Sequence, residues 1–390
     1  MLDFVFYSPT SVVFGKNSMD KLAEQLKKFG ARNILLHYGT SSVQKSGLLD
    51  KTVNILKNNG FNYHLLGGVR PNPKISLCRE GIKLCRKENI DFVLALGGGS
   101  VIDSAKAIAA GTVYDEDVWE LYEKSIVPTK ALPVASILTL AATGSELSSR
   151  SVVSNDETGE KLGIGADALR PVFAIMNPEH TYTVNKWQTA SGTVDILMHT
   201  IERYFTTTKD VALVDSLSEA LMRNVINAGK IAYENPCDYE ARATLMWAGS
   251  LSHNDLLGVG RVQDWACHKL EHEMSAIDPS ITHGAGLAVL FPHWCRYVMH
   301  EDIDRFVQFA REVWQLPYEG LSKEQYAQEG IKACENYFVS LGMPKQIREF
   351  GLKESDLIKM ADKCAEYYKT IGGFKKLNRD DMLNIYKAAY

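Results

Sequence analysis

The sequence predicts an α/β first half and an all-helical second half, and three observations carry that reading. Up to about residue 184, short apolar runs alternate with amphipathic stretches, the pattern of a doubly wound, mostly parallel sheet. One run, Phe92-Val93-Leu94-Ala95-Leu96, is wholly apolar, as a strand covered on both faces requires. From residue 185 onward the apolar spacing is helical, with few β-branched runs and polar breaks near 206–208, 234–236 and 277–279. A chain of 390 residues also exceeds what one hydrophobic core usually serves. Two domains follow, 1–184 and 185–390.

Taken in order, residues 4–15 predict two short strands about the Ser8-Pro9 turn. Residues 19–29 predict an amphipathic helix with Leu22, Ala23, Leu26 and Phe29 on one stripe and Gly30 as its stop. The run 33–38 is a strand ending in Gly39-Thr40-Ser41-Ser42, and a helix over about 47–58 stops at Gly60. A strand over 62–66 is closed by Gly67-Gly68, and Arg70-Pro71-Asn72-Pro73 breaks the chain before a helix over 75–88. Strands over 91–96, 130–137 and 172–176 complete the sheet, and 152–161 resembles a hairpin ending at Lys161.

The composition excludes several classes. Lys and Arg total 43 against 47 Asp and Glu, so the net charge is −4, with neither a basic stripe for nucleic acid nor an acidic tail. No apolar run approaches the roughly 18 residues of a membrane helix, and the N-terminus lacks the pattern of a signal peptide. Seven cysteines, an odd number without CxxC spacing, argue against a disulfide framework. A cytoplasmic protein with no membrane or nucleic-acid partner is expected.

The buried strand runs directly into Gly97-Gly98-Gly99-Ser100-Val101-Ile102-Asp103. Contiguous glycines allow a sharp turn and close backbone approach, and the helix that follows offers free N–H groups and its positive dipole to an anion. A diphosphate is the natural occupant, although the spacing is not GxGxxG. After the 130–137 strand, Thr139, Leu140, Thr143 and Ser145 supply hydroxyls and backbone donors that suit either a bound nucleotide or a helix cap. Lys161 would lie near the phosphates.

In the second half a carboxylate and several imidazoles recur at metal-ligand spacing. Asp195 and His199 are four apart, one above the other on a helix face. His268 and His272 repeat the interval, and His283 precedes Gly284-Ala285-Gly286. Lys269 stands where the helical metalloprotease motif needs Glu, so that chemistry is not indicated. One Asp oxygen and three imidazoles make a mixed N/O set suited to Fe(II) or Zn(II) with a position left open. Spacing alone does not choose between His268 and His272.

Together the runs 97–106, 139–146, 195–199, 268–272 and 283–292 resemble the iron-dependent (group III) alcohol dehydrogenase family, in its butanol dehydrogenase and broad-specificity aldehyde reductase branch. The likeness spans essentially the whole chain. It implies a Rossmann-like dinucleotide-binding domain and a helical metal-binding domain in a dehydroquinate synthase-like architecture. It also implies a homodimer in which residues 4–14 pair across a twofold axis. By resemblance, Asp195, His199, His268 and His283 hold Fe2+, with Zn2+ accepted by the same set, and His272 is a non-ligand that relays the proton. The implied dinucleotide contacts are Gly39, Thr40, Ser41, Ser42, Asn72, Gly97, Gly98, Gly99, Ser100, Asp103, Thr139, Leu140, Thr143, Ser145 and Lys161. Of these, 97–100 hold the diphosphate, and Asp103, Thr139 and Thr143 line the nicotinamide side. One departure is a stretch, 277–281, that is a residue longer than the family's interval, an expected change in a loop outside the site.

The implied activity is reversible hydride transfer between a nicotinamide dinucleotide and a small primary alcohol or aldehyde such as butanol or butanal. NADP(H) is preferred over NAD(H), because residues 37–45 contain no acid to bond a ribose 2′-hydroxyl and their small hydroxyls suit a 2′-phosphate. A glycerol dehydrogenase-like polyol oxidoreductase is the alternative, with a metallohydrolase as a different class that has no use for the glycine cradle. The large aromatics Trp119, Phe173, Tyr204 and Trp265 are candidates to line an apolar pocket, with ordinary core as the reading preferred for each.

Overall fold

The apolar runs of the first half pair in parallel, as strands joined by helical crossovers must. The computed structural model describes all 390 residues. Its elements begin β1 (Ser11–Phe14), α1 (Leu22–Lys28), β2 (Asn33–Gly39), α2 (Ser42–Lys45), α3 (Leu48–Asn58), β3 (Asn62–Val69) and α4 (Ile75–Glu88). They continue with β4 (Phe92–Gly97), α5 (Gly99–Thr112), α6 (Val118–Glu123), β5 (Val134–Leu138), β6 (Arg150–Ser154), β7 (Lys161–Gly165) and β8 (Phe173–Met176). Six strands form one sheet in the order β1-β8-β5-β4-β2-β3, and β6 and β7 form a separate antiparallel hairpin. In the middle of the sheet Leu94 is flanked by Leu36 on β2 and Ala135 on β5. Phe92, Leu94 and Leu96 join Ile34, Leu36, Phe173, Ile175 and the apolar stripe of α1 in one buried core.

The strand order decides where a ligand can go. After β3 the chain returns to place β4 on the other side of β2. The carboxyl ends of β2 and β4 therefore flank a topological switch point, where open α/β sheets bind their ligands. Gly39 and the run 97–100 sit at those two ends.

Three sequence expectations need correction. Gly67 and Gly68 do not close β3 but lie inside it, since the strand runs on to pair Val69 with Gly39. Residues 4–10 form no strand; only Ser11–Phe14 pairs, in parallel with β8. A strand requires a neighbour to complete its ladder, and within this chain residues 4–10 have none. The 130–137 strand begins only at Val134, because Pro133 has no N–H to donate to the ladder.

The chain divides into two compact units, Tyr7–Thr183 and Val184–Tyr390, with Met1–Phe6 joined to the second, where the Leu2 N–H donates to the Gly260 carbonyl at 2.8 Å. The second unit comprises α7 (Lys186–Tyr204), α8 (Ala212–Glu234), α9 (Tyr239–His253), α10 (Ala266–Ile277), α11 (His283–Val298), α12 (Ile303–Gln308), α13 (Lys323–Ser340), α14 (Glu354–Tyr368) and α15 (Arg379–Ala389). Starts are marked by side-chain caps: Asn185 accepts from the Gln188 N–H, and Ser322 and Gln325 form a reciprocal capping box. Phe205 packs edge-on against Phe291, Trp294, Phe309 and Phe374 at the centre of this unit. Trp119, Phe173 and Tyr204 are buried as the sequence predicts, whereas Trp265 is only partly so. No helix is long and apolar enough to cross a membrane, and all seven cysteines are free thiols.

Within the α/β unit a buried imidazole couples β2 to its neighbours. His37 Nδ1–H donates to the Leu66 carbonyl at 2.9 Å, and its Nε2 accepts from the Ser104 hydroxyl at 2.8 Å. Burial, only partly offset by the Leu66 bond, lowers this group from 6.5 to about 4. A depressed folded value means that its contribution to stability is complete above pH 6.5 and is lost as the pH falls toward 4. The loss is on the order of 3 kcal/mol. His37→Gln should therefore lose less Tm than the wild type between about pH 7 and about pH 4.5. Parallel Tm–pH curves would refute the assignment.

Candidate functional site

Helix α7 carries Asp195 and His199 a turn apart, α10 carries His268, and α11 begins at His283. The Oδ1 of Asp195 lies 3.8 Å from the Nε2 of each of His199, His268 and His283. That is too long for hydrogen bonding. It is near the roughly 3.4 Å that separates two donors each about 2.1 Å from one tetrahedral ion. Asp195 Oδ1 and His268 Nε2 are buried and have no hydrogen-bond partner within the protein, a condition native interiors rarely leave uncompensated. A divalent cation fits this donor set, and the chemistry of one carboxylate and three imidazoles suits iron or zinc.

The structure brings His268 rather than His272 to Asp195, the choice that spacing left open. His272 projects one turn further along α10, with its ring 5.5 Å from that of His283. In the connection between α10 and α11 the Ile281 N–H closes onto the Asp278 carbonyl at 3.1 Å, and His283 opens α11. His283 stays in the set.

Sequence reasoning missed the carboxylates behind the ligands. His268 Nδ1–H donates to Glu202 Oε2, and His283 Nδ1–H donates to Glu271 Oε2. Both glutamates are buried. Each fixes its imidazole so that the Nε2 lone pair faces Asp195, and each makes that nitrogen a better donor to a metal. Glu202 is itself held by the Cys267 N–H at 2.7 Å, and Glu271 by the Ser275 hydroxyl at 2.9 Å. A signal was present: Glu202 lies two turns beyond Asp195 on α7, and Glu271 lies three residues beyond His268. Glycines allow the three helices to meet, since a Cβ at Gly284 would lie 2.0 Å from the Ser191 carbonyl and one at Gly286 would lie 2.7 Å from Glu271 Cγ.

The charges respond accordingly. Burial alone would pull the His268 imidazole down, but Glu202 and Asp195 raise it to about 9. Burial alone would raise the Asp195 carboxyl, yet the imidazoles of His268 and His283 hold it below its ordinary value. Burial, reinforced by the His268 charge, pushes His199 well down.

In the α/β unit the predicted phosphate turn is built as a layered cradle. The Thr139 N–H donates to the Gly97 carbonyl at 3.1 Å. A Cβ at Gly98 would be 3.1 Å from Leu140 Cβ, and one at Gly99 would be 2.3 Å from Thr143 Oγ1. Residues 97–99 thus lie against 139–143 with no room for side chains. Helix α5 starts at Gly99 with no side-chain cap, which leaves its first N–H groups to an outside acceptor. Gly39 at the end of β2 borders Val101, and Thr40, Ser41 and Ser42 stand exposed beside it. Asn72 occupies a left-handed turn pinned by the Ser154 N–H to the Pro73 carbonyl at 2.8 Å.

Asp103 and Ser145 are engaged internally. Asp103 accepts from the Ser145 hydroxyl at 2.5 Å and from the Val152 N–H at 3.0 Å. Lys106, which sequence reasoning did not single out, is fully buried and donates to Ser145 O, Ser145 Oγ, Ser148 O and Arg150 O at 2.7–2.9 Å. These bonds fasten the segment after β5 onto α5 and hold Thr139 and Thr143 over the glycines. Burial raises the Asp103 carboxyl above its ordinary value, and Lys106 and, more weakly, Lys161 at the start of β7 act against that rise.

Two family profiles match the chain. Residues 9–178 match the family profile "Iron-containing alcohol dehydrogenase", and residues 189–390 match "Fe-containing alcohol dehydrogenase family, C-terminal". The chain is 45% identical to NADH-dependent butanol dehydrogenase A of Clostridium acetobutylicum, with all of both chains covered. It is 35% identical to the NADPH-dependent aldehyde reductase YqhD of Escherichia coli, again over both full lengths. The crystal structure of NADH-dependent butanol dehydrogenase A from Thermotoga maritima superposes with a TM-score of 0.96 at 36% identity, covering 100% of this chain and 99% of that one.

Glu202→Gln tests the supporting carboxylates. Glutamine can keep a carbonyl on the Cys267 N–H but then turns an amide N–H toward His268 Nδ1, which reverses the tautomer. Metal affinity measured by chelator competition should fall about 10–100-fold with the circular dichroism unchanged; undiminished affinity would contradict the assigned role.

Proposed function

Since the chain belongs to the iron-containing alcohol dehydrogenase family, we propose that it interconverts small primary alcohols and aldehydes, such as butanol and butanal, with a nicotinamide dinucleotide as hydride carrier. The observation that carries this is the unsatisfied Asp195 oxygen equidistant from three imidazole nitrogens. When bound, the divalent cation supplies Lewis acidity to the substrate oxygen and the nicotinamide carries the hydride.

The chain's own residues do the remainder. Asp195, His199, His268 and His283 hold Fe2+, or Zn2+ in its place, and Glu202 and Glu271 orient two of those imidazoles. His272, next to the set without belonging to it, takes or returns the hydroxyl proton at its imidazole. The glycine turn 97–99 and the Ser100 N–H hold the diphosphate, Thr139, Leu140 and Thr143 border the nicotinamide, and Asp103, Ser145 and Lys161 support that wall. A polyol oxidoreductase uses the same parts, whereas a metallohydrolase leaves the glycine cradle without a purpose.

Coenzyme choice follows from the end of β2. Thr40, Ser41 and Ser42 are exposed and no acid accompanies them, which favours NADP(H). Relatives named for either coenzyme exist, so the chemistry of this turn is the argument. Protein purified anaerobically should contain about one iron per chain and reduce butanal, with kcat/KM higher for NADPH than for NADH. His268→Ala and His283→Ala should each lose both metal and turnover. Turnover without metal would overturn the mechanism, and a clear NADH preference would overturn the coenzyme reading.

The free thiols suit the reducing cytoplasm. The terminal run 4–7 exposes Phe4, Val5, Phe6 and Tyr7, with Val5 94% accessible. Such a run, with unpaired backbone, fits a second copy of the chain, and a homodimer is the expected state. Light scattering should give twice the chain mass, and residues 1–8 removed should give one; a monomeric full-length protein would refute it.

A further inference from the structure

Trp265 departs from the core role its composition suggests. It immediately precedes α10, three residues before His268, and its φ is +64°. A left-handed backbone is rare for so bulky a residue and persists only where the surroundings impose it, most often at functional sites. The other non-glycine residues with positive φ are Asn72, Asn89, Ser125, Asp210, Asp255, Gln315 and Lys369. None of them carries a ring.

The surroundings that impose it are specific. Asp264 accepts from the Ala266 N–H at 2.9 Å with one oxygen and from the Gly373 and Phe374 N–H groups at 2.9 and 2.8 Å with the other, which fixes the backbone on both sides. The indole N–H donates to Gln263 Oε1 at 2.9 Å. The Arg203 guanidinium lies over the indole, 4.5 Å from its centre. Arg203 is itself buried, donates to the His199 carbonyl at 2.8 Å and pairs with Asp255 at 3.6 Å. Asp255 is another residue in the left-handed region. These contacts hold the indole in one orientation.

What it is held against is the metal set. Its ring centre is 5.1 Å from that of His268, 6.1 Å from that of His199 and 5.7 Å from that of His253, a further imidazole at the end of α9. Trp265 is only partly buried, unlike the fully buried Trp294. We infer that Trp265 is the fixed apolar wall of the metal centre, against which the alkyl group of the alcohol or aldehyde rests, and that it limits how bulky that group can be. The inference rests on the alcohol dehydrogenase reading above and adds the residue that sets its substrate range. A flexible side chain in this position would yield to a larger substrate; one clamped by a guanidinium, a glutamine and a constrained backbone does not.

The test compares wild type, Trp265→Phe and Trp265→Ala, each loaded with metal, on butanal and on the branched 2-ethylbutanal. In a hydrophobic pocket one methylene is worth about 10–200-fold in discrimination. The ratio of kcat/KM for the branched over the straight aldehyde should rise about tenfold or more in Trp265→Ala, mainly through KM, with Trp265→Phe in between. A second readout needs no turnover: Co2+ added to the metal-free protein should quench tryptophan emission in the wild type. That quenching should largely vanish in Trp265→Phe while the same amount of Co2+ binds. Unchanged aldehyde ratios in both variants, or equal quenching without the indole, would overturn the inference and leave the enzymatic reading standing. A wild type that turns over neither aldehyde would overturn both.

Discussion

A carboxylate taken out of water is the feature on which the helical unit turns. Asp195 is 2% accessible, and its Oδ1 is surrounded by imidazole nitrogens that stop short of hydrogen bonding it. Burying such a charge unpaired is costly. Glu202 and Glu271 bring two more buried carboxylates behind the ring. A divalent cation and the buried Arg203 together offset these three negative charges. The donor set is therefore arranged as if completed by a metal, and the packing of α7, α10 and α11 follows from the need to bring it together.

Small residues make that convergence possible. Gly284 lets α11 approach the backbone of α7 at Ser191, and Gly286 leaves space for Glu271. The α/β unit solves its own problem in the same manner. Gly97, Gly98 and Gly99 lie under Val101, Leu140 and Thr143, where any side chain would collide. In the α/β unit the glycine turn sits where α5 begins, and its first N–H groups and missing side chains create room and positive charge there.

Around each site the protein invests buried polar groups in rigidity. The Lys106 ammonium spreads its N–H donors over four oxygens and keeps the segment after β5 in place. Burial lowers its amine to about 8, with Asp103 and Glu146 opposing. Arg203 does the equivalent for the metal centre, joining the His199 carbonyl, Asp255 and the Trp265 indole. Satisfied networks of this kind specify one geometry more strictly than apolar packing does, which suits a site whose ligands must keep their positions.

Much of this was legible in the chain. Alternating apolar runs determined the α/β half, because a strand buried on both faces must be apolar throughout, and α4 at Ile75–Glu88 lies where its periodicity predicts. Contiguous glycines after β4 marked the cradle, and four-residue spacing marked Asp195 with His199. Other facts belonged to the tertiary structure. His268 and His272 have identical local credentials, and only the crossing of α10 over α7 selects between them. Helical spacing puts Glu202 and Glu271 on the ligand faces of their helices, but it does not name the imidazoles they hold, and Lys106 gives no local sign of its acceptors; these partners are 12 to 66 residues away. Trp265 resembles any buried aromatic until its backbone conformation and its neighbours are seen. Periodicity and turn chemistry act over a few residues and can be read from the chain; the pairing of buried charges and the direction of a side chain are set by contacts between distant segments, and only folding decides them.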